Sequence, residues 1–123
     1  MAEQKRILCV DDDPDLLRMA KLVLERRGFT VLTLKGAGKL TETVQHFSPD
    51  LILIDHRMPD VMGIEATQAL KADPASQHIP VIYFTDEEAI RTLAAEAGAD
   101  GWLQKPFKIE ELMAVVNKFL SPG

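Results

Sequence analysis

One cysteine, Cys9, stands in the whole chain, so no intramolecular disulfide can form. Its place inside an apolar run makes it a small buried hydrophobe and not a nucleophile. Long hydrophobic runs are missing as well. The longest, Ile7 to Val10, Leu51 to Ile54 and Val81 to Phe84, hold four residues each, against the roughly 20 that a membrane span needs. Met1 to Arg6 leads into only four apolar residues and then three aspartates, which is not the pattern of a signal peptide, and the expectation is a cytosolic protein with no membrane role. Clustered Lys and Arg are also lacking. With 14 Lys+Arg against 19 Asp+Glu the formal charge is -5, which argues against direct nucleic-acid binding, since that rests on phosphate neutralisation.

No repeat, low-complexity tract or linker divides the 123 residues. A chain of this length is expected to fold as one domain, 1–123 with a core of about 5–120, and to bury roughly two-thirds of its unfolded surface without staples. It leaves essentially nothing for an output domain, and the tail Ser121-Pro122-Gly123 reads either as a terminus or as the start of a linker.

What is there is an alternation of short apolar runs with longer amphipathic ones, the pattern of an α/β protein with a parallel sheet. Strands are expected at about Arg6 to Val10, Thr30 to Leu34, Leu51 to Ile54, Val81 to Phe84 and Gly101 to Leu103. The first, third and fourth are continuously apolar and belong in the centre, covered on both faces. The first helix carries Leu16, Met19, Ala20, Val23 and Leu24 at helical spacing, with Asp13 as N-cap, Pro14 at N1 and Gly28 past its end. The last carries Ile109, Leu112, Met113, Val116 and Leu120, opened by Pro106 and closed before Pro122. A fourth helix, about Glu87 to Ala97, has acidic residues in its first turn and stops at Gly98. The second and third, about Gly38 to Phe47 and Gly63 to Ala72, are less regular.

In an open parallel sheet, ligands bind beyond the carboxyl ends of the strands. There the sequence places Asp11, Asp12 and Asp13, then Asp55, then Thr85 and Asp86, then Gln104 and Lys105. Carboxylates gathered on one rim repel, each pair at about 4 Å costing several kcal/mol at an effective dielectric near 20. A cation relieves that, and oxygen-only ligands select a hard divalent ion, Mg²⁺ ahead of Ca²⁺, with Mn²⁺ as a substitute. Metal, hydroxyl and lysine together form a kit for phosphoryl transfer, with an aspartate as the natural acceptor.

These residues, in order, resemble a known family. From Ile7-Leu8-Cys9-Val10-Asp11-Asp12-Asp13-Pro14 through Asp50-Leu51-Ile52-Leu53-Ile54-Asp55 and Met58-Pro59 to Gly98-Ala99-Asp100-Gly101 and Lys105-Pro106-Phe107, the chain is similar to the CheY-like receiver domain of two-component response regulators. The resemblance covers essentially the whole chain. It implies a doubly wound (βα)5 flavodoxin-like fold with strand order 2-1-3-4-5, and a regulatory phosphoacceptor that catalyses only its own phosphotransfer and autodephosphorylation. Asp55 would take the phosphoryl group from a phosphohistidine on a sensor histidine kinase or a histidine phosphotransfer protein. Asp12 would bind Mg²⁺ directly, Asp11 through a metal-bound water, and the Arg57 carbonyl would be a third protein ligand beside Asp55. Lys105 and Thr85 would receive phosphoryl oxygens, the Lys105-Pro106 bond would be cis, and Trp102 would turn inward as Thr85 moves. The output face would be the fourth helix, fifth strand and fifth helix, meeting a target or a second copy, so that the molecule is a monomer or a phosphorylation-linked dimer.

Several positions leave alternatives open. Asp86 follows Thr85 where Ala or Gly is usual in that family, and either obstructs an anionic donor or points to solvent. Trp102 is larger than the usual Tyr or Phe and donates only through its indole nitrogen, so its inward turn is open to question. Arg57 and Glu87 either tune phosphoryl lifetime as a pair or form a surface ion pair of little weight. Gly36-Ala37-Gly38-Lys39 lacks the spacing of a P-loop and reads as a loop. His46, His56 and His78 lack metal-site spacing, and His56 reads as a loop residue. Two rival functions remain: a receiver-shaped scaffold that is never phosphorylated, and a small haloacid-dehalogenase-type phosphatase, in which Asp11 would be the nucleophile.

Overall fold

A computed structural model describes residues 4–120, so the tail Ser121-Pro122-Gly123 and the helix stop at Pro122 lie outside the described residues. Five βα units follow one another: β1 (Arg6–Val10), α1 (Pro14–Arg26), β2 (Thr30–Leu34), α2 (Leu40–Phe47), β3 (Leu51–Asp55), α3 (Gly63–Ala72), β4 (Val81–Thr85), α4 (Ile90–Ala97), β5 (Gly101–Gln104) and α5 (Ile109–Phe119). All strands are parallel, in the order β2-β1-β3-β4-β5. The three continuously apolar strands do occupy the centre.

Alternation along those strands builds a core on each face. Ile7, Cys9, Leu53, Ile82 and Phe84 pack against Leu17, Ala20 and Leu24 of α1 and Leu112, Met113 and Val116 of α5. Leu8, Val10, Ile52, Ile54, Val81 and Tyr83 pack under α2, α3 and α4. Burial pushes the Cys9 thiol up to about 12, which leaves it inert at neutral pH. Among the described residues no helix is long and apolar enough to cross a membrane.

Local signals explain most boundaries. The Asp13 carboxylate accepts from the Asp15 and Leu16 N–H groups at 2.9 and 3.4 Å, capping α1 just ahead of Pro14. Gly98 ends α4 at φ 80°, a backbone region that disfavours side chains.

Five expectations need correction. Helix α4 begins at Ile90, not Glu87, and has no acidic residue in its first turn. The Glu87 N–H instead donates to Thr85 Oγ1 at 3.3 Å, and its carboxylate pairs with Arg57, which holds the segment as a turn. Helix α2 begins at Leu40, not Gly38, because the preceding loop closes on the Asp60 carboxylate, which accepts from the Ala37 N–H at 3.2 Å. Pro106 does not open α5: Lys108 is its N-cap, with the Glu111 carboxylate accepting from the Lys108 N–H at 2.9 Å. Ile109 is exposed and not on the buried stripe, since a first-turn side chain lies back over the entering loop. In α1, Leu17 is buried while Leu16 and Met19 are only partly so.

Candidate functional site

The carboxyl ends of β1, β3, β4 and β5 open on one rim. Asp11 follows β1 and is fully buried; Asp12 next to it is exposed. Asp55 and Thr85 are the last residues of β3 and β4, 6% and 2% exposed. Both strands therefore run one residue beyond their apolar runs, carrying a polar group into the site. Lys105 follows β5, and its peptide bond to Pro106 is cis.

One ammonium ties the cluster together. Lys105 Nζ donates to Asp11 Oδ2 at 2.8 Å and to Asp55 Oδ1 at 3.2 Å. It lies 4.9 Å from the centre of the Phe84 ring, and the Lys105 N–H donates to the Thr85 carbonyl at 2.9 Å. Asp11 Oδ1 accepts from the Asp13 N–H at 3.0 Å.

Burial, followed by the Asp11 charge, raises the Asp55 carboxyl to about 6 despite Lys105. Burial likewise raises Asp11, against the pull of its bond to Lys105. Burial by itself would lower Lys105, but its bonds and attraction to Asp11 and Asp55 outweigh that and leave it raised. The carboxylates are thus short of positive charge with only one lysine present.

A carboxylate oxygen from each of Asp11, Asp12 and Asp55 lies within 4.8 Å of the others. Three hard oxygen donors that close, two of them buried and reluctant to ionise, fit a small divalent cation of the Mg²⁺ type. Of the residues singled out from sequence, Asp11, Asp12, Asp55, Thr85 and Lys105 converge on this rim. Arg57 and Glu87 meet at its edge as an ion pair. Asp86 is exposed and makes no hydrogen bond or ion pair among the described residues. Trp102 does not point into the site: it is 39% exposed, with the Arg91 guanidinium 5.4 Å over its ring.

Two features escaped the sequence. His56 lies in the loop after β3, as expected, but its Nδ1 is hydrogen-bonded to the hydroxyl of the fully buried Tyr83. The only trace in sequence is alternation, which puts His56 on the same side of β3 as Ile54. Gly63 is the other: a Cβ there would meet the Asp55 carbonyl oxygen at 2.2 Å, so α3 starts directly against the end of β3.

Comparison with known proteins follows the same geometry. Residues 7–117 match the family model described as the response regulator receiver domain. The chain is 36% identical over 114 residues to the DNA-binding response regulator MtrA of Mycolicibacterium smegmatis, covering 93% of this chain and 50% of that one. It is 36% identical over 118 residues to the phosphate regulon transcriptional regulatory protein PhoB of Pseudomonas aeruginosa, covering 94% and 52%. The chain therefore spans about half the length of the curated relatives it matches. Among solved structures it resembles the chemotaxis protein CheY4 of Vibrio cholerae, with a TM-score of 0.87 and 26% identity over 94% of this chain and 98% of that one. It also resembles the receiver domain of a signal transduction histidine kinase from Syntrophus aciditrophicus, at 0.88 and 31% over 95% and 90%.

Proposed function

The chain belongs to the response regulator receiver domain family, the phosphoacceptors of two-component signalling, and from that membership we propose that Asp55 accepts a phosphoryl group from a phosphohistidine. The observation that carries the assignment is the single Lys105 ammonium shared between Asp11 and Asp55 beside a third carboxylate, Asp12.

In this account an Asp55 carboxylate oxygen attacks phosphorus in line, the P–O bond forms as the P–N bond breaks, and the donor histidine nitrogen leaves with the bonding pair and takes up a proton. Asp55 supplies the nucleophile, and Lys105 holds it in place before the transfer and offers its ammonium to a phosphoryl oxygen afterwards. The Thr85 hydroxyl, which accepts from the Glu87 N–H, has its own proton free to give to another phosphoryl oxygen. Asp12, Asp55, the Arg57 carbonyl, and Asp11 through water are the groups that would hold Mg²⁺. Bound there, the ion offsets the carboxylate repulsion and the charge on the transferring group.

The new charge, roughly two negative units by analogy with a phosphorylated hydroxyl, draws Thr85 and biases the packing next to it. Trp102 turns inward from its place beside Arg91, and the surface of α4, β5 and α5 changes. That surface meets a downstream protein or an output domain. A histidine kinase or phosphotransfer protein is the donor, which goes with a cytosolic setting. We take residues 1–123 as a single receiver unit.

Beryllofluoride with Mg²⁺, a mimic of the acyl phosphate, tests the assignment. Amide spectra and Trp102 fluorescence are expected to change in the wild type and stay unchanged in Asp55→Asn. An unresponsive wild type would instead support the scaffold alternative.

A further inference from the structure

Tyr83 is fully buried between the sheet and the α3–α4 layer. A phenol there needs a hydrogen-bond partner, because a buried unpaired hydroxyl is costly, whereas Phe would fill almost the same space with no such need. The partner is His56 Nδ1, the two rings lying 5.6 Å apart and inclined at 59°. Strand register accounts for the meeting: Ile54 lies opposite Tyr83 and Asp55 opposite Phe84, so the side chain two residues beyond Ile54 comes down on the Tyr83 side.

His56 is fixed from two directions. Its ring is held by Tyr83, and its carbonyl accepts from the Gly63 N–H at 2.8 Å. The Asp55–His56 main chain also runs directly under Gly63, where no Cβ intervenes. Tyr83 in turn sits two residues before Thr85 on the same side of β4. The His56–Tyr83 bond therefore cross-links the chain leaving Asp55 to the strand that presents Thr85.

We propose that Tyr83 is a positioning residue for phosphoryl transfer: through its hydrogen bond to His56 it fixes the main chain that follows Asp55, and so the presentation of the Asp55 carboxylate. This rests on Asp55 being the phosphoacceptor. Tyr83 touches no reacting atom and acts only through His56.

Phosphoramidate with Mg²⁺ as donor needs no partner protein and gives a rate of phosphoryl incorporation by intact mass. Wild type is expected to label and Asp55→Asn to stay unlabelled; failure of the wild type would defeat the phosphoacceptor assignment itself. Tyr83→Phe, which keeps the buried ring, is expected to slow labelling about fivefold, equivalent to about 1 kcal/mol on the barrier. His56→Leu is expected to slow it comparably, and the double variant no further than His56→Leu, as for two residues acting along one path. His56→Asn, whose side-chain amide stands near the place of Nδ1, is expected to recover at least about half of the loss in His56→Leu. A Tyr83→Phe protein that labels at the wild-type rate, whatever its melting temperature, overturns the proposal. So do losses that multiply in the double variant, or a His56→Asn protein as slow as His56→Leu.

Discussion

Asp55→Asn is expected to make the protein more stable in metal-free buffer near neutral pH, although it removes the proposed phosphoacceptor. Burial and the neighbouring Asp11 charge move the Asp55 carboxyl from 3.8 to about 6. A carboxyl whose folded pKa lies above its unfolded value holds its proton more tightly when folded, so its ionisation works against folding. The interval corresponds to at most about 3 kcal/mol once Asp55 is charged. Asn has the size of the protonated acid, and its amide oxygen can still accept from Lys105. A gain of about 1 to 3 kcal/mol follows, or very roughly 4 to 15 °C in a domain of this length. The pH dependence carries the sign: below about pH 4 the carboxyl is protonated in both states and the advantage vanishes, it opens as pH rises through the interval, and it is complete above about pH 6 to 7. Thermal or urea unfolding of both proteins in chelator at about pH 4 and about pH 7.5 measures it. An Asn variant less stable than wild type at the higher pH, or an advantage equal at both, would refute the idea that burial and the Asp11 charge make ionised Asp55 work against folding.

Other substitutions probe neighbouring parts of the account. Gly63→Ala drives a Cβ to 2.2 Å from the Asp55 carbonyl oxygen and is expected to cost more than about 2 kcal/mol by urea unfolding; a loss under about 0.5 kcal/mol would show that α3 can move away freely. Arg91→Ala removes the guanidinium over Trp102, worth about 0.5 to 1 kcal/mol at an exposed site, and is expected to favour the inward tryptophan about two- to fivefold. Since Trp102 is the only tryptophan, a blue shift of emission reads this directly, and unchanged emission contradicts it. Arg57→Ala and Glu87→Ala break a pair in which Arg57 is 72% exposed, so stability is expected to change by no more than about 1 kcal/mol while the lifetime of the phosphorylated form changes. Lifetimes equal to wild type in both variants would leave only a surface ion pair.

The legible part of the fold was the part set by local pattern. Three apolar runs foretold the central strands, and Asp13-Pro14 foretold the start of α1, because a cap and a proline act within a few residues. The illegible part was set across the chain. Glu87 looked like a first-turn acid of α4, but its partners are Thr85 and Arg57, the latter 30 residues away, and they hold it outside the helix. Pro106 looked like a helix opener, yet α5 begins only after the Lys108 cap, while the cis bond before Pro106 was expected from the resemblance. The rim of Asp11, Asp12, Asp55, Thr85 and Lys105 was readable because parallel topology brings strand ends together whatever the loops do. The His56–Tyr83 bond was not, since it depends on the register of β3 against β4, which one sequence does not display.

The position of the phosphoryl group tests the central claim most directly. After reaction with phosphoramidate and Mg²⁺, borohydride reduction of the acyl phosphate and peptide mass spectrometry locate the modified aspartate. Modification is predicted at Asp55 and nowhere on the Asp11-Asp12-Asp13 segment. Modification at Asp11, or none in a protein shown to bind Mg²⁺, would contradict the account.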